Sequence, residues 1–257
     1  MGAGSANPGR IVANQMASGS PVDGTPAGVT TAIGPPLHFG ASSTSGEAMA
    51  EFTTDWFGRY AAYWRELFAS QGWRPDVPRT VIEIGSYEGR SALWTLENLL
   101  QHPQSRLHCV DTFHGREQPG SYWRRFETNV LRSPHARKVS VSVSASLPFL
   151  ARFVASGNKA DFIYLDGSHR AAEVLEDLVL AFHAIRAGGI IICDDYLKAA
   201  PAGDLTLGSP KLAVDAFTSI YRDRIDIPWG QPLYQLAIIK MSDRAADDPG
   251  ARGVRSS

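Results

Sequence analysis

The chain has 257 residues, 44% of them hydrophobic, which is enough to bury one sizeable core without a second domain. Acidic and basic side chains nearly cancel at a formal charge of -1, so nothing in the balance draws the protein to nucleic acid or to an anionic membrane. No apolar run approaches the roughly 20 residues that span a bilayer, no secretory-type apolar core stands near the N-terminus, and Cys109 and Cys193 sit in apolar strand-like runs, as reduced buried thiols do. A cytoplasmic protein is expected.

Residues 1–46 are rich in Gly, Ala, Ser, Thr and Pro and carry only Arg10 and Asp23 as charges, so burial cannot repay their ordering and the segment is expected to be disordered. The alternative, an organelle transit peptide, is opposed by the single arginine. From residue 47 to 70, Phe52, Trp56, Tyr60, Tyr63, Trp64, Leu67 and Phe68 recur at three- and four-residue steps, predicting a helix whose aromatic stripe packs inward. Gly72, Pro75 and Pro78 end it. Strands are then predicted at 80–84, 107–110, 139–143, 162–165, 190–193 and 233–240, with helices near 91–100, 122–131, 147–155, 170–185 and 211–222. Such alternation gives a doubly wound α/β fold, a mostly parallel sheet with helices on both faces.

The helix at 170–185 places Val174, Leu175, Leu178, Val179, Phe182 and Ile185 inward and Glu173, Glu176 and Asp177 outward, with Ser168 as its N-cap and Gly188 and Gly189 as its end. Phe126 and Asn129 read as a core and a cap residue, and 201–210 as a loop beside Asp195. Residues 242–257 resemble the N-terminal segment in composition, which leaves 47–241 as the folded domain.

Open α/β sheets bind ligands beyond the carboxyl ends of their strands. There, the first strand runs into Glu83-Ile84-Gly85-Ser86-Tyr87-Glu88-Gly89-Arg90-Ser91, a turn whose glycines let backbone approach a ligand. Tyr87 stands where a dinucleotide fingerprint wants glycine, which disfavours a nicotinamide cofactor. The second strand ends at Asp111, a carboxylate placed to accept hydrogen bonds from a ribose diol.

The sequence resembles the class I S-adenosylmethionine-dependent methyltransferases, whose first motif reads E-x-G-x-x-x-G and whose second strand ends in an acid. It is similar in particular to the macrocin O-methyltransferase-like branch in Val81 to Gly89, in Phe162-Ile163-Tyr164-Leu165-Asp166-Gly167-Ser168-His169 and in Gly188-Gly189-Ile190-Ile191-Ile192-Cys193-Asp194-Asp195-Tyr196. The likeness covers about 52–240 and implies a seven-stranded sheet and S-adenosylmethionine as cofactor. It places Gly85, Ser86, Tyr87, Gly89 and Ser91 at that cofactor, Ser146 beside its adenine and Glu83 in support of its amine.

Asp166 ends the fourth strand and Asp194 and Asp195 the fifth, so three carboxylates converge on one edge. Like charges so close need compensation, and hard oxygen ligands suit Mg²⁺ or another divalent cation. The duller alternative makes Asp194 or Asp195 a turn cap and Asp166 an acceptor of backbone N–H groups. The resemblance favours the metal. His169, in the turn after Asp166, is the candidate base for an acceptor hydroxyl, where catechol-type relatives carry a lysine. The function implied is O-methylation of a small molecule, with no nucleic acid or membrane partner; the acceptor and any homo-oligomer stay open. The rivals are a hydroxylase-like oxidoreductase on the same fold and a non-catalytic cofactor-binding protein.

Overall fold

Seven strands, β1 (Thr80–Ile84), β2 (Arg106–Asp111), β3 (Val139–Val143), β4 (Ala160–Leu165), β5 (Ile185–Cys193), β6 (Ile225–Asp226) and β7 (Leu236–Lys240), form one sheet in the order β3-β2-β1-β4-β5-β7-β6. The first five run parallel; β7 is antiparallel to both β5 and β6. This computed structural model describes residues 50–198 and 209–243, all within one unit of the chain, Pro35–Ser257. The expected disordered segment at 1–46, residues 244–257 of the tail expected to be disordered from 242, and residues 201–208 of the expected loop lie outside the described residues.

Helices α1 (Ala61–Ser70), α2 (Arg90–Asn98) and α3 (Tyr122–Phe126) cover one face, and α4 (Ser146–Ala155), α5 (Ala171–Ala184) and α6 (Pro210–Tyr221) the other. Central strands are therefore buried on both sides, and successive residues serve different cores: Val81 packs with Trp64 and Phe162 on one face, Ile82 with Leu178 and Phe182 on the other. Cys109 and Cys193 are free thiols, one in each core. No helix among the described residues is long and apolar enough to cross a membrane.

Five sequence expectations are corrected. The predicted helix from residue 47 begins only at Ala61, after a short 3-10 turn at Gly58–Tyr60. Upstream, tertiary bonds replace helical ones: Glu88 accepts from the Thr53 amide and hydroxyl at 2.7 Å each, and Asn129 bonds the Glu51 amide and carbonyl at 2.9 Å. The helix expected at 122–131 gives way at Glu127 to a wider π turn, Glu127–Leu131, which turns Asn129 inward as a clamp on Glu51 and Glu88.

Asp177, expected on the outer face of α5, is buried, and the Ser146 hydroxyl bonds it. Gly188 and Gly189 do not end α5, which stops at Ala184; they lie inside β5, where a Cβ on Gly189 would meet the carbonyl oxygens of Arg186 and Asp161 at 2.9 and 3.0 Å. Ser168 sits two residues before the N-cap Arg170 and accepts its N–H.

Candidate active site

Parallel register brings the strand ends to a common rim. Ile84 lies opposite Val110 and Leu165, and Leu165 opposite Cys193. The ladder continues one residue further, with Gly85, Asp166 and Asp194 donating their N–H groups to Val110, Ile84 and Leu165 at 2.8 to 2.9 Å. Asp111, Asp166 and Asp194 thus leave the sheet side by side.

The turn between β1 and α2 is built for close approach. Gly85 has φ +84°, and a Cβ there would stand 2.1 Å from the Asp166 carbonyl oxygen. Gly89, φ +83°, is the N-cap of α2, where a Cβ would collide with Val130. Tyr87 between them adopts φ +47°, and its ring is stacked between Trp56 and Tyr122. Ser86 is buried, with its side chain against the Cys109 thiol.

Asp111 is fixed by backbone: its Oδ1 accepts from the Phe113 N–H at 2.8 Å and its Oδ2 from the Tyr87 N–H at 3.0 Å. The Tyr122 hydroxyl adds a long bond to Oδ1 at 3.5 Å, and of the carboxylate's roughly four lone-pair sites the last is left for a ligand. Ser91 donates to Glu83 Oε1 at 2.6 Å inside the core. Burial pushes the Glu83 carboxyl up to about 8, with the Ser91 bond opposing and the Asp111 charge adding. Ser146 opens α4; its hydroxyl engages Asp177, whose carboxyl burial raises to about 6 against that hydrogen bond.

Asp166, His169 and Asp195 each offer a ligand atom, all within 4.8 Å of one another. His169 Nε2 lies 2.6 Å from Asp195 Oδ2, and Lys198 Nζ stands 2.8 Å from the same oxygen and 2.9 Å from the same ring nitrogen. Burial drives the Asp166 carboxyl well above the usual range, Asp194, Asp195 and Glu83 add to the effect, and Lys198 opposes it. Burial acts to raise the Asp195 carboxyl too, but the bonds from His169 and Lys198 outweigh it and hold that group low.

Asp194 stands apart from this group. Its Oδ2 accepts from the Tyr164 hydroxyl and from Gln235 Nε2 at 3.2 Å, and its Oδ1 from the Asp195 N–H at 2.7 Å. Of the three aspartates read from sequence, Asp166 and Asp195 group with His169, while Asp194 bonds Tyr164 and Gln235. Lys198, Tyr164 and Gln235 were not picked out by sequence reasoning. Lys198 had a usable signal in its three-residue distance from Asp195; Gln235 had none, because it reaches Asp194 across 41 residues.

Residues 82–196 match the model of a methyltransferase domain. No protein of curated function matches the chain. Among solved structures, it is similar to an O-methyltransferase from Bacillus cereus in complex with SAH, at 18% identity and TM-score 0.54, over 73% of this chain and 84% of that one. It is similar to the MycE methyltransferase of the mycinamycin biosynthetic pathway, in complex with Mg, SAH and mycinamycin VI, at 14% identity and TM-score 0.53; the match covers 77% of this chain and 52% of that one. A third, cofactor-bound Rv0187 from MTB, is 19% identical at TM-score 0.51, over 76% of this chain and 85% of that one. At these identities the likeness carries the fold, a class I Rossmann-like methyltransferase sheet, and leaves the acceptor open.

Proposed function

We propose that this chain, an S-adenosylmethionine-dependent methyltransferase by its domain match and fold, methylates a hydroxyl of a small molecule with the help of a divalent cation. The observation that carries the reading is the meeting of Asp166, His169 and Asp195 on the rim that also holds Glu83, Gly85 and Asp111.

The residues present fit the cofactor. On the rim beside the Gly85 to Gly89 turn, Asp111 presents a carboxylate already oriented by two backbone N–H groups, one of them that of Tyr87 within the turn. In this reading Asp111 accepts from the ribose, Glu83 supports the amine through the pocket floor, and the N-terminal end of α4 at Ser146 flanks the adenine. Bound there, S-adenosylmethionine would supply an electrophilic methyl on sulfur for the acceptor oxygen, and these residues would hold and orient it.

Asp166 and Asp195, whose carboxylates each offer an oxygen within 4.8 Å of the other, also suit a hard divalent ion. Asp166 and Asp195 would hold it, Asp194 joining only by exchanging its bond to Tyr164, and the ion would polarise and orient the acceptor hydroxyl. His169 takes the hydroxyl proton. Asp195, 2.6 Å from its Nε2, steadies the imidazolium that results.

A second, metal-free version of the same reaction is favoured by one observation: the Lys198 ammonium already stands between Asp195 and His169, where a cation is wanted. The test is transfer of a labelled methyl to a panel of hydroxyl compounds, with and without a chelator. Transfer that stops on chelation and returns with Mg²⁺ supports the first version; transfer indifferent to chelation supports the second. A protein that binds no SAH and labels nothing contradicts both.

A further inference from the structure

One cation at this edge has no part in the reaction just described. Arg59, in the 3-10 turn before α1, lies over the ring of Tyr60 at 4.7 Å and over that of Tyr234 at 5.8 Å, and it makes no ion pair among the described residues. Tyr60 is 5% exposed; its buried hydroxyl meets the Arg59 side chain and lies within electrostatic reach of Asp194 and Asp195. Tyr234 is fastened to the same rim, because its carbonyl accepts the N–H of Tyr196, the residue after Asp195, at 3.0 Å. Gln231 pins the rest of that loop: its Nε2 donates to the Pro228 carbonyl at 2.9 Å, and its Oε1 accepts the Ala237 N–H and, at 3.3 Å, the Tyr63 hydroxyl.

A guanidinium has five N–H donors, so one that lies on aromatic rings and meets a single hydroxyl keeps a pair of them for the two oxygens of a carboxylate. Such an anion is unwelcome beside Asp166, Asp194 and Asp195 themselves, so its place is at Arg59, with its hydroxyl directed to the acids and His169. We infer that Arg59, held by Tyr60 and Tyr234, is the far end of the acceptor site and selects a hydroxyl substrate that bears a carboxylate away from the methylated oxygen. This rests on the methyl-transfer reading above.

The test is calorimetry on the full-length, SAH-saturated protein in Mg²⁺, with 3,4-dihydroxybenzoate and its neutral isostere 3,4-dihydroxybenzamide as probes. The benzoate is expected to bind about tenfold or more tightly than the benzamide, as a charge-assisted bidentate contact requires. Arg59→Gln should erase that preference without altering SAH affinity, and Arg59→Lys should restore only part of it. Equal binding of the two probes, a preference that survives Arg59→Gln, or no binding of either probe to SAH-loaded protein overturns the inference. If SAH itself fails to bind, the methyl-transfer reading falls first and takes the inference with it.

Discussion

The imidazole of His169 and the carboxylate of Asp195, brought from the ends of neighbouring strands, meet at 2.6 Å. If this pair takes up the acceptor proton, His169→Gln should lower the chemical rate by about 10²- to 10⁴-fold, the usual scale for a lost general base. SAH affinity should hold. Single-turnover kinetics beside SAH calorimetry make the separation; a full-rate variant would remove His169 from proton transfer.

Glu83 ties stability to pH. Its carboxyl is raised from 4.5 to about 8 by burial, so between those values the native state binds more protons than the unfolded one. Stability of the ligand-free protein should therefore fall as pH rises through that window, and Glu83→Gln should flatten this part of the profile. Urea titrations at intervals from pH 5 to 9 measure it, and equal slopes for the two proteins would contradict the assignment. Near pH 7, SAH binding should release protons from the parent and fewer from the variant, because an amine beside Glu83 favours its ionised form.

Gly85→Ala should cost at least about 2 kcal/mol, since a left-handed backbone and a collision with the Asp166 carbonyl oxygen at 2.1 Å act together. Relief of that collision moves the β1 turn away from Asp166, so SAH binding should be lost as well. Denaturation and SAH titration report both effects, and a variant with parental SAH affinity would show that the turn does not touch the cofactor.

Trp64 links the core to the acids. It packs edge-on against Phe57, Trp94, Phe162 and Tyr164, and its Nε1 donates at 2.8 Å to Gln235, which in turn bonds Asp194. Trp64→Ala should cost about 3–5 kcal/mol in stability. Trp64→Phe keeps most of the packing but leaves the buried Gln235 oxygen unpaired, at about 1–3 kcal/mol. Thermal and urea unfolding of the two variants test that order.

What the sequence disclosed follows from how local the determining physics is. β1 and β3 fall at the predicted bounds, because short apolar or alternating runs between breakers admit little else. The meeting of Asp111, Asp166 and Asp194 on one rim was also legible, since parallel strands joined by crossover helices must deliver their ends together. The irregular start of the chain's first helix was not, because it depends on Glu88 and Asn129, 35 and 78 residues from their partners. The same limit hid the turning of Asp194 toward Tyr164 and Gln235, the burial of Asp177 under Ser146 and the stacking of Arg59 on Tyr234. The two-residue β6 is too short to leave a pattern.

Electron paramagnetic resonance of Mn²⁺ added to the SAH-loaded protein tests the proposed cation site most directly. The account expects about one bound Mn²⁺ per chain, its signal displaced by Mg²⁺, with affinity cut at least about tenfold by Asp166→Asn or Asp195→Asn, as loss of a charged ligand requires, and largely kept by His169→Gln. No stoichiometric Mn²⁺, or binding indifferent to both aspartate substitutions, would contradict it.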